Sequence, residues 1–396
     1  MFRAFIAYFR LVYLSVFRSK GTHARFTAKR FAVMSVLLPL LFIGQLIHWV
    51  CFLIDDILFR GYKKIEIVDP VFIVGIPRSG TTLLHRLMAQ DTEQFTSLKL
   101  WEMLIAPSIT ERKFWALIGR VDRALGGFGR RLLGAIDARL FRNLEKIHKM
   151  SLFDFDEDEM ILTHVYASVY LFFPFPFRDE MWRFVRFDEL TGVAEKERVM
   201  RFYKDCIRRH LYFHGPEKRF LSKNPAFSAK VGALREYFPG ARLICNVRSP
   251  YNTVPSLFSA LYVAWDMFDN DPTGDVFRNS VLEIAAHWYR HPLIQEHNWP
   301  DNRFAFLTYD ALVNDLEAAV LGLYQRLEIN AGPHFAERLR LEHESARKYK
   351  SSHRYSLEKY GLTSEGILND FGDIFQRFGF DTANPADTEV RRQEAQ

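Results

Sequence analysis

The sequence is poor in cysteine, with only Cys51, Cys206 and Cys245 among 396 residues. These three have no regular spacing and lie among apolar neighbours, so they predict buried thiols in a reducing compartment rather than a disulfide framework. The sequence also lacks any Asn-x-Ser/Thr site, the acceptor of N-linked glycans in secreted proteins. Both absences favour a cytoplasmic location for the folded part of the chain.

Acidic residues are absent from the first 30 positions, which carry seven basic residues. Apolar residues recur there at helical spacing over residues 2–17, and the combination predicts a basic amphipathic helix that lies in an anionic membrane interface. Charge of either sign is then absent from residues 31–54, a run long enough to cross a bilayer. Pro39, Gln45 and His48 interrupt this run, so three interpretations stay open: a monotopic segment, a single span, or a soluble helix packed on the folded domain.

A glycine-bounded loop follows the first β-branched run, where residues 72–84 read FIVGIPRSGTTLL. Gly75, four residues and Gly80 have the spacing of a phosphate-binding loop, whose backbone N–H groups hold an anion at the positive end of a helix. The lysine that follows the second glycine in nucleotide triphosphatases is absent, and Arg78 is the only cation inside the loop. The pattern favours an anion bound by a guanidinium over ATP with magnesium. A plain strand-to-helix turn is the alternative.

Short apolar runs recur along the chain, each followed by a turn and a helical pattern. This alternation predicts a parallel sheet flanked by helices, with ligands at the carboxyl ends of the strands. The predicted strands are residues 71–74, 242–247 and 304–308, and the helices cover residues 82–90, the segment starting near residue 250, and residues 315–327.

Three segments together resemble one enzyme family. GIPRSGTT resembles the 5′-phosphosulfate loop of sulfotransferases that use 3′-phosphoadenosine 5′-phosphosulfate (PAPS), in the arginine version of the tyrosylprotein-type and related bacterial branches. Residues 221–225, LSKNP, look like the strand-end lysine segment of that family. Residues 244–256, ICNVRSPYNTVPS, look like its 3′-phosphate motif, in which a serine follows a strand-end arginine by eight residues. The order of the three segments agrees with the family over most of residues 67–360.

The resemblance implies an α/β fold with a P-loop-like parallel sheet, in a sulfotransferase domain over residues 67–384. Residues 1–66 would then be a separate membrane-associating segment, and residues 385–396 a disordered tail. The resemblance also implies metal-independent, in-line sulfonate transfer, in which Lys223 bridges the sulfonate and the leaving oxygen. Glu102 is the expected general base. The implied PAPS-binding residues are Arg78, Ser79, Gly80, Thr81, Thr82, Arg248, Ser256, Tyr309 and Lys350.

One departure from the family concerns the late part of the chain. The GxxGxxK segment of cytosolic sulfotransferases is absent, so the contacts of Tyr309 and Lys350 follow from position alone. His148 could be a base, as a histidine is in cytosolic sulfotransferases, but its helical context, LEKIHKM, favours an ordinary surface histidine.

The acidic run DFDEDE, residues 154–159, offers rival candidates. Acids before an apolar helix are explained by the helix macrodipole alone, and this is the interpretation we favour from the sequence. A role at the acceptor site and metal binding are the alternatives.

The acceptor is expected to be an apolar molecule with a hydroxyl, such as a lipid. The aromatic stretch FFPFPF, residues 172–177, would offer it a surface unless these residues belong to the core. Membrane surface and acceptor are the expected partners, with no nucleic acid. Two other functions stay open: a P-loop kinase or nucleotidase, and a non-catalytic, membrane-anchored nucleotide-binding protein.

The expected membrane topology depends on where the co-substrate PAPS is found. By the positive-inside rule, a single span would carry everything after residue 60 out of the cytoplasm, away from a cytoplasmic PAPS pool. A monotopic segment avoids this conflict, and Pro39, Asp55 and Asp56 favour it. We therefore expect a cytoplasmic catalytic domain on the bacterial inner membrane.

Overall fold

A computed structural model describes residues 2–141, 151–270, 275–346 and 357–383. His148, Lys350 and the expected tail, 385–396, lie outside these ranges. The strands are β1 (Val71–Gly75), β2 (Phe95–Thr96), β3 (Arg219–Lys223), β4 (Arg242–Val247) and β5 (Phe304–Thr308). The α-helices are α1 (Phe2–Phe17), α2 (Ala28–Leu58), α3 (Thr81–Met88), α4 (Leu100–Leu104), α5 (Ile109–Ala124), α6 (Phe128–Phe141), α7 (Arg178–Val185), α8 (Phe187–Leu190), α9 (Val193–His214), α10 (Val231–Tyr237), α11 (Pro250–Met267), α12 (Asp275–Glu296), α13 (Tyr309–Asn314), α14 (Leu316–Arg326), α15 (Pro333–Ala346) and α16 (Ser364–Phe378).

The five strands form one parallel sheet in the order β2-β3-β1-β4-β5. β1 is central, and the chain winds outward from it on both sides, so its carboxyl end lies at the switch point where such sheets bind ligands. The predicted α/β fold with a parallel sheet is confirmed. The strands at 242–247 and 304–308 agree to the residue, and β1 extends the prediction by Gly75.

Both faces of the sheet are buried, as a parallel sheet requires. Successive β1 side chains point to opposite faces: Phe72 and Val74 join one core cluster, and Val71 and Ile73 join the other. The near-continuous apolar runs of these strands follow from this two-sided burial.

The first two helices share the main core. Tyr8 and Leu11 of α1 and Met34 and Phe52 of α2 belong to the same cluster as Phe72 of β1. The expected division of the chain at residue 66 therefore does not correspond to two separate cores. Helices α1 and α2 and one face of the sheet contribute to the same hydrophobic core.

Helix α2 is bound to the rest of the molecule near both ends. Near its start, buried Arg30 donates to Asn270 Oδ1 (2.7 Å) and to the Pro174 carbonyl (2.7 Å). Near its end, buried Asp55 accepts from Arg209 Nε at 3.1 Å. Helix α2 is long and apolar enough to cross a membrane. Only 17% of its most apolar stretch is buried within the protein.

Candidate active site

The loop after β1 depends on two glycines. At Gly75 (φ +123°), a Cβ would lie 2.0 Å from the Asn246 carbonyl oxygen, so only glycine lets β1 end this close to β4. Gly80 (φ +87°) is the N-cap residue of α3, and Arg78 between them is also left-handed, at φ +71°. Ser79 is fully buried, and both its N–H and its hydroxyl donate to the Ile76 carbonyl. Ser79 thus shapes the loop.

The first turn of α3 faces the space beyond this loop. The first N–H groups of a helix have no intrahelical partner, and they carry the positive end of the helix dipole. Thr81 and Thr82 begin α3 directly after Gly80. The loop and the start of α3 thus have the backbone layout of strand, glycine loop and helix N-terminus on which the predicted anion site depends.

Four of the predicted binding residues meet beside the loop. Arg78 Nε donates to Ser256 Oγ at 3.2 Å, and Arg248 donates to the Arg78 carbonyl at 3.3 Å. The Arg248 guanidinium lies 3.9 Å from the centre of the Tyr309 ring, a cation–π contact. The same ring closes over Gly80, where a Cβ would lie 3.1 Å from it. Residues far apart in sequence thus place two guanidinium groups beside one glycine loop.

Tyr289, which the sequence analysis did not identify, binds the backbone of Arg248. The Tyr289 hydroxyl lies 2.5 Å from the Arg248 carbonyl and 2.5 Å from Thr253 Oγ1. Tyr289 belongs to α12, outside every motif. No local sequence signal could have identified it, because its role depends on how α12 packs against α11.

Lys223 ends β3 and is almost fully buried. It pairs in register with Ile73, two residues before Gly75, so it stands at the same edge of the sheet as the loop. Its ammonium nitrogen lies 3.1 Å from Glu157 Oε1 and 3.8 Å from Asp156 Oδ1. The Tyr170 hydroxyl donates to the other oxygen of Glu157.

The acidic residues 154–159 do more than stabilise the start of a helix. Asp158 and Glu159 do begin a 3-10 helix, Asp158–Val165, but their carboxylates bind other elements. Asp158 accepts from Ser222 Oγ at 2.8 Å, and burial raises its pKa to about 7. Glu159 pairs with Lys230 at 3.0 Å in full burial. The macrodipole interpretation that we favoured from the sequence does not account for these contacts.

Glu102 lies in a separate buried cluster. Its Oε2 accepts the Lys99 backbone N–H at 2.9 Å, and its Oε1 is 2.6 Å from His214 Nε2 and 3.9 Å from Arg112 Nε. Burial raises the pKa of this carboxyl, but Arg112 and His214 lower it by more, so the pKa lies well below its usual range. Among the described residues its polar contacts go to these groups and not to Lys223. The geometry does not favour Glu102 as the general base.

Two groups in the described ranges have metal-ligand chemistry. Glu102, His210 and His214 form one, and Glu189, His287 and His291 form the other. Each carboxylate is already paired with a guanidinium, Glu102 with Arg112 and Glu189 with Arg186. A cation at either place would lie near that positive charge.

The aromatic stretch at 172–177 belongs to the core. Phe172, Phe175 and Phe177 are all buried. Phe172 packs against Trp182 and Trp265, with ring centres 5.6 and 5.4 Å away. Of the two interpretations, packing in the core fits these contacts.

Comparison with known proteins shows which ones resemble this chain in sequence and in fold. A model of the Sulfotransferase family matches residues 70–333. The chain is 29% identical over 344 residues to the omega-hydroxy-beta-dihydromenaquinone-9 sulfotransferase Stf3 of Mycobacterium bovis and of Mycobacterium tuberculosis, covering 84% of this chain and 81% of each relative.

Two crystal structures show the same fold. Sulfotransferase STF1 of Mycobacterium tuberculosis superposes with a TM-score of 0.62 at 17% identity, covering 92% of both chains. Sulfotransferase STF9 of Mycobacterium avium superposes with a TM-score of 0.61 at 18% identity, covering 84% of this chain and 82% of its own. Because the family match extends over most of the chain, including the glycine loop, Lys223 and Arg248, the protein belongs to the sulfotransferase family.

Proposed function

We propose that this sulfotransferase takes its sulfonate from PAPS and transfers it to the hydroxyl of a lipid at the membrane surface. The observation that carries the proposal is the meeting of Arg78, Arg248 and Ser256 beside the glycine loop, with Lys223 at the same edge of the sheet. Two guanidinium groups and a helix N-terminus suit a donor with two separate anionic groups.

The residues at this edge fit such a donor. Asn224, directly after Lys223, is fully buried, and its side-chain NH₂ has no hydrogen-bond partner among the described residues. A buried donor without a partner is costly, and an oxygen of a bound anion would satisfy it. Thr81 stands after Gly80 where a kinase would have the lysine that binds ATP, and the cation of the loop is Arg78, so the kinase alternative is disfavoured.

In the reaction, the sulfur–oxygen bond to the leaving phosphate breaks as the acceptor oxygen forms a new bond to sulfur. Lys223 and Arg78 are the cations placed to stabilise negative charge on the transferred group and the leaving oxygen. The acceptor hydroxyl must lose its proton, and we assign that proton to Glu157 rather than Glu102. Glu157 lies beside Lys223 and is partly exposed, so an acceptor can reach it.

The class of acceptor follows the mycobacterial relative. That protein is named for an omega-hydroxylated dihydromenaquinone, and we propose a hydroxylated lipid of similar character here. Apolar surface is available near the N-terminus, where the exposed side chains include Phe2, Phe9, Phe17, Leu40, Leu46 and Leu53.

Attachment to the membrane is proposed to be monotopic. A helix of 31 residues is about 46 Å long, yet Arg30 and Asp55, near its opposite ends, both bind the same folded unit. A true span would pull that unit into the bilayer. We therefore place α1 and α2 along the cytoplasmic leaflet of the inner membrane. Tags fused to each terminus should both be protected from protease in intact spheroplasts; cleavage of either tag would contradict this topology.

The donor is tested by calorimetric titration of the detergent-purified protein without magnesium. Adenosine 3′,5′-bisphosphate should bind, and adenosine 5′-phosphate and ATP should bind at least tenfold more weakly. Arg248→Ala should remove most of that preference. Equal binding of ATP, or binding of none of the three, would overturn the assignment.

The acceptor is tested separately in cells. Lipid extracts from cells with the wild-type protein should contain a sulfated lipid that is missing with Lys223→Ala. An unchanged lipid profile, with the nucleotide preference intact, would reject the lipid acceptor but not the donor. Nucleotide binding without turnover on any acceptor would instead favour the non-catalytic alternative.

A further inference from the structure

Helices α5 and α6 form a hairpin that is open to solvent along most of its length. Between residues 113 and 139 no residue is buried. A hairpin with large apolar side chains on so much exposed surface marks an interaction site. The large apolar side chains that are more than a third exposed are Phe114, Trp115, Leu117, Ile118, Val121, Leu125, Phe128, Leu132, Leu133 and Ile136.

The tip of the hairpin is well ordered by hydrogen bonds. The Asp122 carboxylate accepts from the backbone N–H groups of Gly129 (2.7 Å) and Arg130 (3.0 Å), and so joins the end of α5 to the start of α6. This turn projects Leu125 and Phe128, which are 78% and 71% exposed. The most exposed apolar side chains of the hairpin therefore stand at its tip.

The charge of the hairpin identifies its partner. Residues 113–139 carry six basic side chains and two acidic ones. Both acids are engaged internally, Asp122 at the tip and Asp137 with Ser151 Oγ and the Leu152 N–H, each at 2.8 Å. Arginines beside exposed apolar side chains suit an anionic lipid surface. A second copy of the same hairpin would place positive charge against positive charge.

The base of the hairpin is bound to the end of α2. Asp55 of α2 accepts from the Ile109 and Thr110 N–H groups at the start of α5, at 2.8 and 2.9 Å. His48 of α2 lies 2.6 Å from Glu111. The hairpin and the membrane-associating helix are thus bound together by buried polar contacts.

The C-terminal part of α6 contacts the segment that leads to Glu157. Asp137 of α6 holds Ser151 and Leu152, and Glu157 follows five residues after Leu152. The chain from the hairpin contact to the proposed base is therefore at most about 18 Å long.

We propose that the α5–α6 hairpin is a second membrane-docking element, which inserts its tip into an anionic leaflet and brings the segment before Glu157 to the lipid surface. Docking itself is independent of the reaction. Delivery of a lipid acceptor to Glu157 rests on the proposed function.

The experiment places one environment-sensitive NBD dye at the tip. Leu125→Cys is made in a Cys51→Ser background, since Cys206 and Cys245 are buried and out of reach of the dye. The control is Val193→Cys at the start of α9, which is 83% exposed and lies outside α1, α2 and the hairpin. Both full-length proteins are mixed with vesicles of phosphatidylcholine, with or without 30% phosphatidylglycerol.

With anionic vesicles, the dye at residue 125 should shift to the blue by 10 nm or more and brighten severalfold, while the dye at residue 193 should not change. No shift at residue 125 in protein that floats with the vesicles would overturn the proposal, because α1 and α2 alone would then account for attachment. A shift without vesicles that grows with protein concentration would also overturn it and assign the hairpin to a second copy.

A functional arm separates docking from chemistry. Leu125→Glu with Phe128→Glu should abolish the dye shift of an adjacent Ala124→Cys label and lower the amount of sulfated lipid in extracts of cells that carry the variant at least tenfold. Binding of adenosine 3′,5′-bisphosphate should not change. If the wild-type protein does not bind adenosine 3′,5′-bisphosphate, the proposed function is wrong, whereas the docking proposal is unaffected.

Discussion

Lys223 and Glu157 form an ion pair at the carboxyl end of the central strands, with Nζ and Oε1 3.1 Å apart. The lysine side chain is 1% exposed and the glutamate 18%, so the pair has one buried end and one end that solvent or substrate can reach. A buried ammonium needs a counter-charge when no ligand is present. An incoming sulfonate can replace Glu157 in that role and leave the carboxylate available as a base.

The first prediction separates Glu157 from Glu102. Glu157→Gln should lower kcat by about 10²- to 10⁴-fold, the usual contribution of a general base, while the affinity for adenosine 3′,5′-bisphosphate stays within about threefold. Glu102→Gln removes the charge that faces buried Arg112 and should cost roughly 3–5 kcal/mol of stability. Its folded fraction should retain kcat. Single-turnover rates and thermal unfolding of both variants provide the measurements. Normal turnover in Glu157→Gln would show that another residue is the general base.

The second prediction concerns the ring beneath Arg248. Tyr309→Ala removes the cation–π contact at 3.9 Å and should weaken nucleotide binding by about 2- to 30-fold, as expected for about 0.5–2 kcal/mol. Tyr309→Phe keeps the ring and should bind like the wild type. Titration calorimetry distinguishes them. An equal loss in both variants would show that the hydroxyl, not the ring, makes the contact.

The sequence predicted the parts of the site that depend on local backbone pattern. Gly75, Gly80 and the position of Arg248 at the end of a strand were predicted because a strand, a turn and a helix leave recognisable spacing. Lys223 was identified only through the family resemblance, because residues 219–223 were not among the strands that the apolar pattern predicted. The partner of Lys223 was not identified, although its acidic run was noted. Five acids lie close together there, and only the tertiary fold decides which carboxylate turns to which cation.

The role of Glu102 was assigned by distance along the chain from the loop. Position in sequence could not reveal that α4 turns this carboxylate toward Arg112 and His214. The proposed boundary at residue 66 had a similar weakness. The hydrophobicity of residues 31–54 shows that they avoid water, but not whether lipid or the protein core covers each face.

The third prediction tests the close approach of β1 and β4. Gly75→Ala puts a methyl group 2.0 Å from the Asn246 carbonyl oxygen, so the strands must separate. We expect a loss of at least about 4 kcal/mol or no folded protein. Gly322→Ala is the control, since its methyl group meets nothing within 4 Å and α14 should gain roughly 0.5–1 kcal/mol. Thermal unfolding in detergent measures both. A Gly75→Ala protein as stable as the wild type would show that the loop does not require this contact.

The fourth prediction concerns Asp158, whose pKa burial raises to about 7. An unfolded aspartate has a pKa of about 3.9, so between these values the folded protein holds a proton that the unfolded chain releases. The stability contributed by this group is complete below about pH 4 and is lost as the pH rises through 7. Relative to Asp158→Asn, which carries no such proton, the wild type should lose on the order of 4 kcal/mol across this window.

The measurement for Asp158 is the melting temperature of the wild type and Asp158→Asn from pH 4 to pH 8. Asp154→Asn, at a half-exposed acid of the same run, serves as the control for loss of one carboxylate. The gap between wild type and Asp158→Asn should change steadily up to about pH 7 and then stay constant, whereas the gap to Asp154→Asn should vary little. The hydroxyls of Ser222 and of Tyr203, a buried residue of α9, both donate to the Asp158 carboxylate. A gap to Asp158→Asn that does not depend on pH would mean that these two hydrogen bonds keep the carboxylate ionised. In that case the cation of Lys223 would have a third acid in its surroundings, besides Glu157 and Asp156.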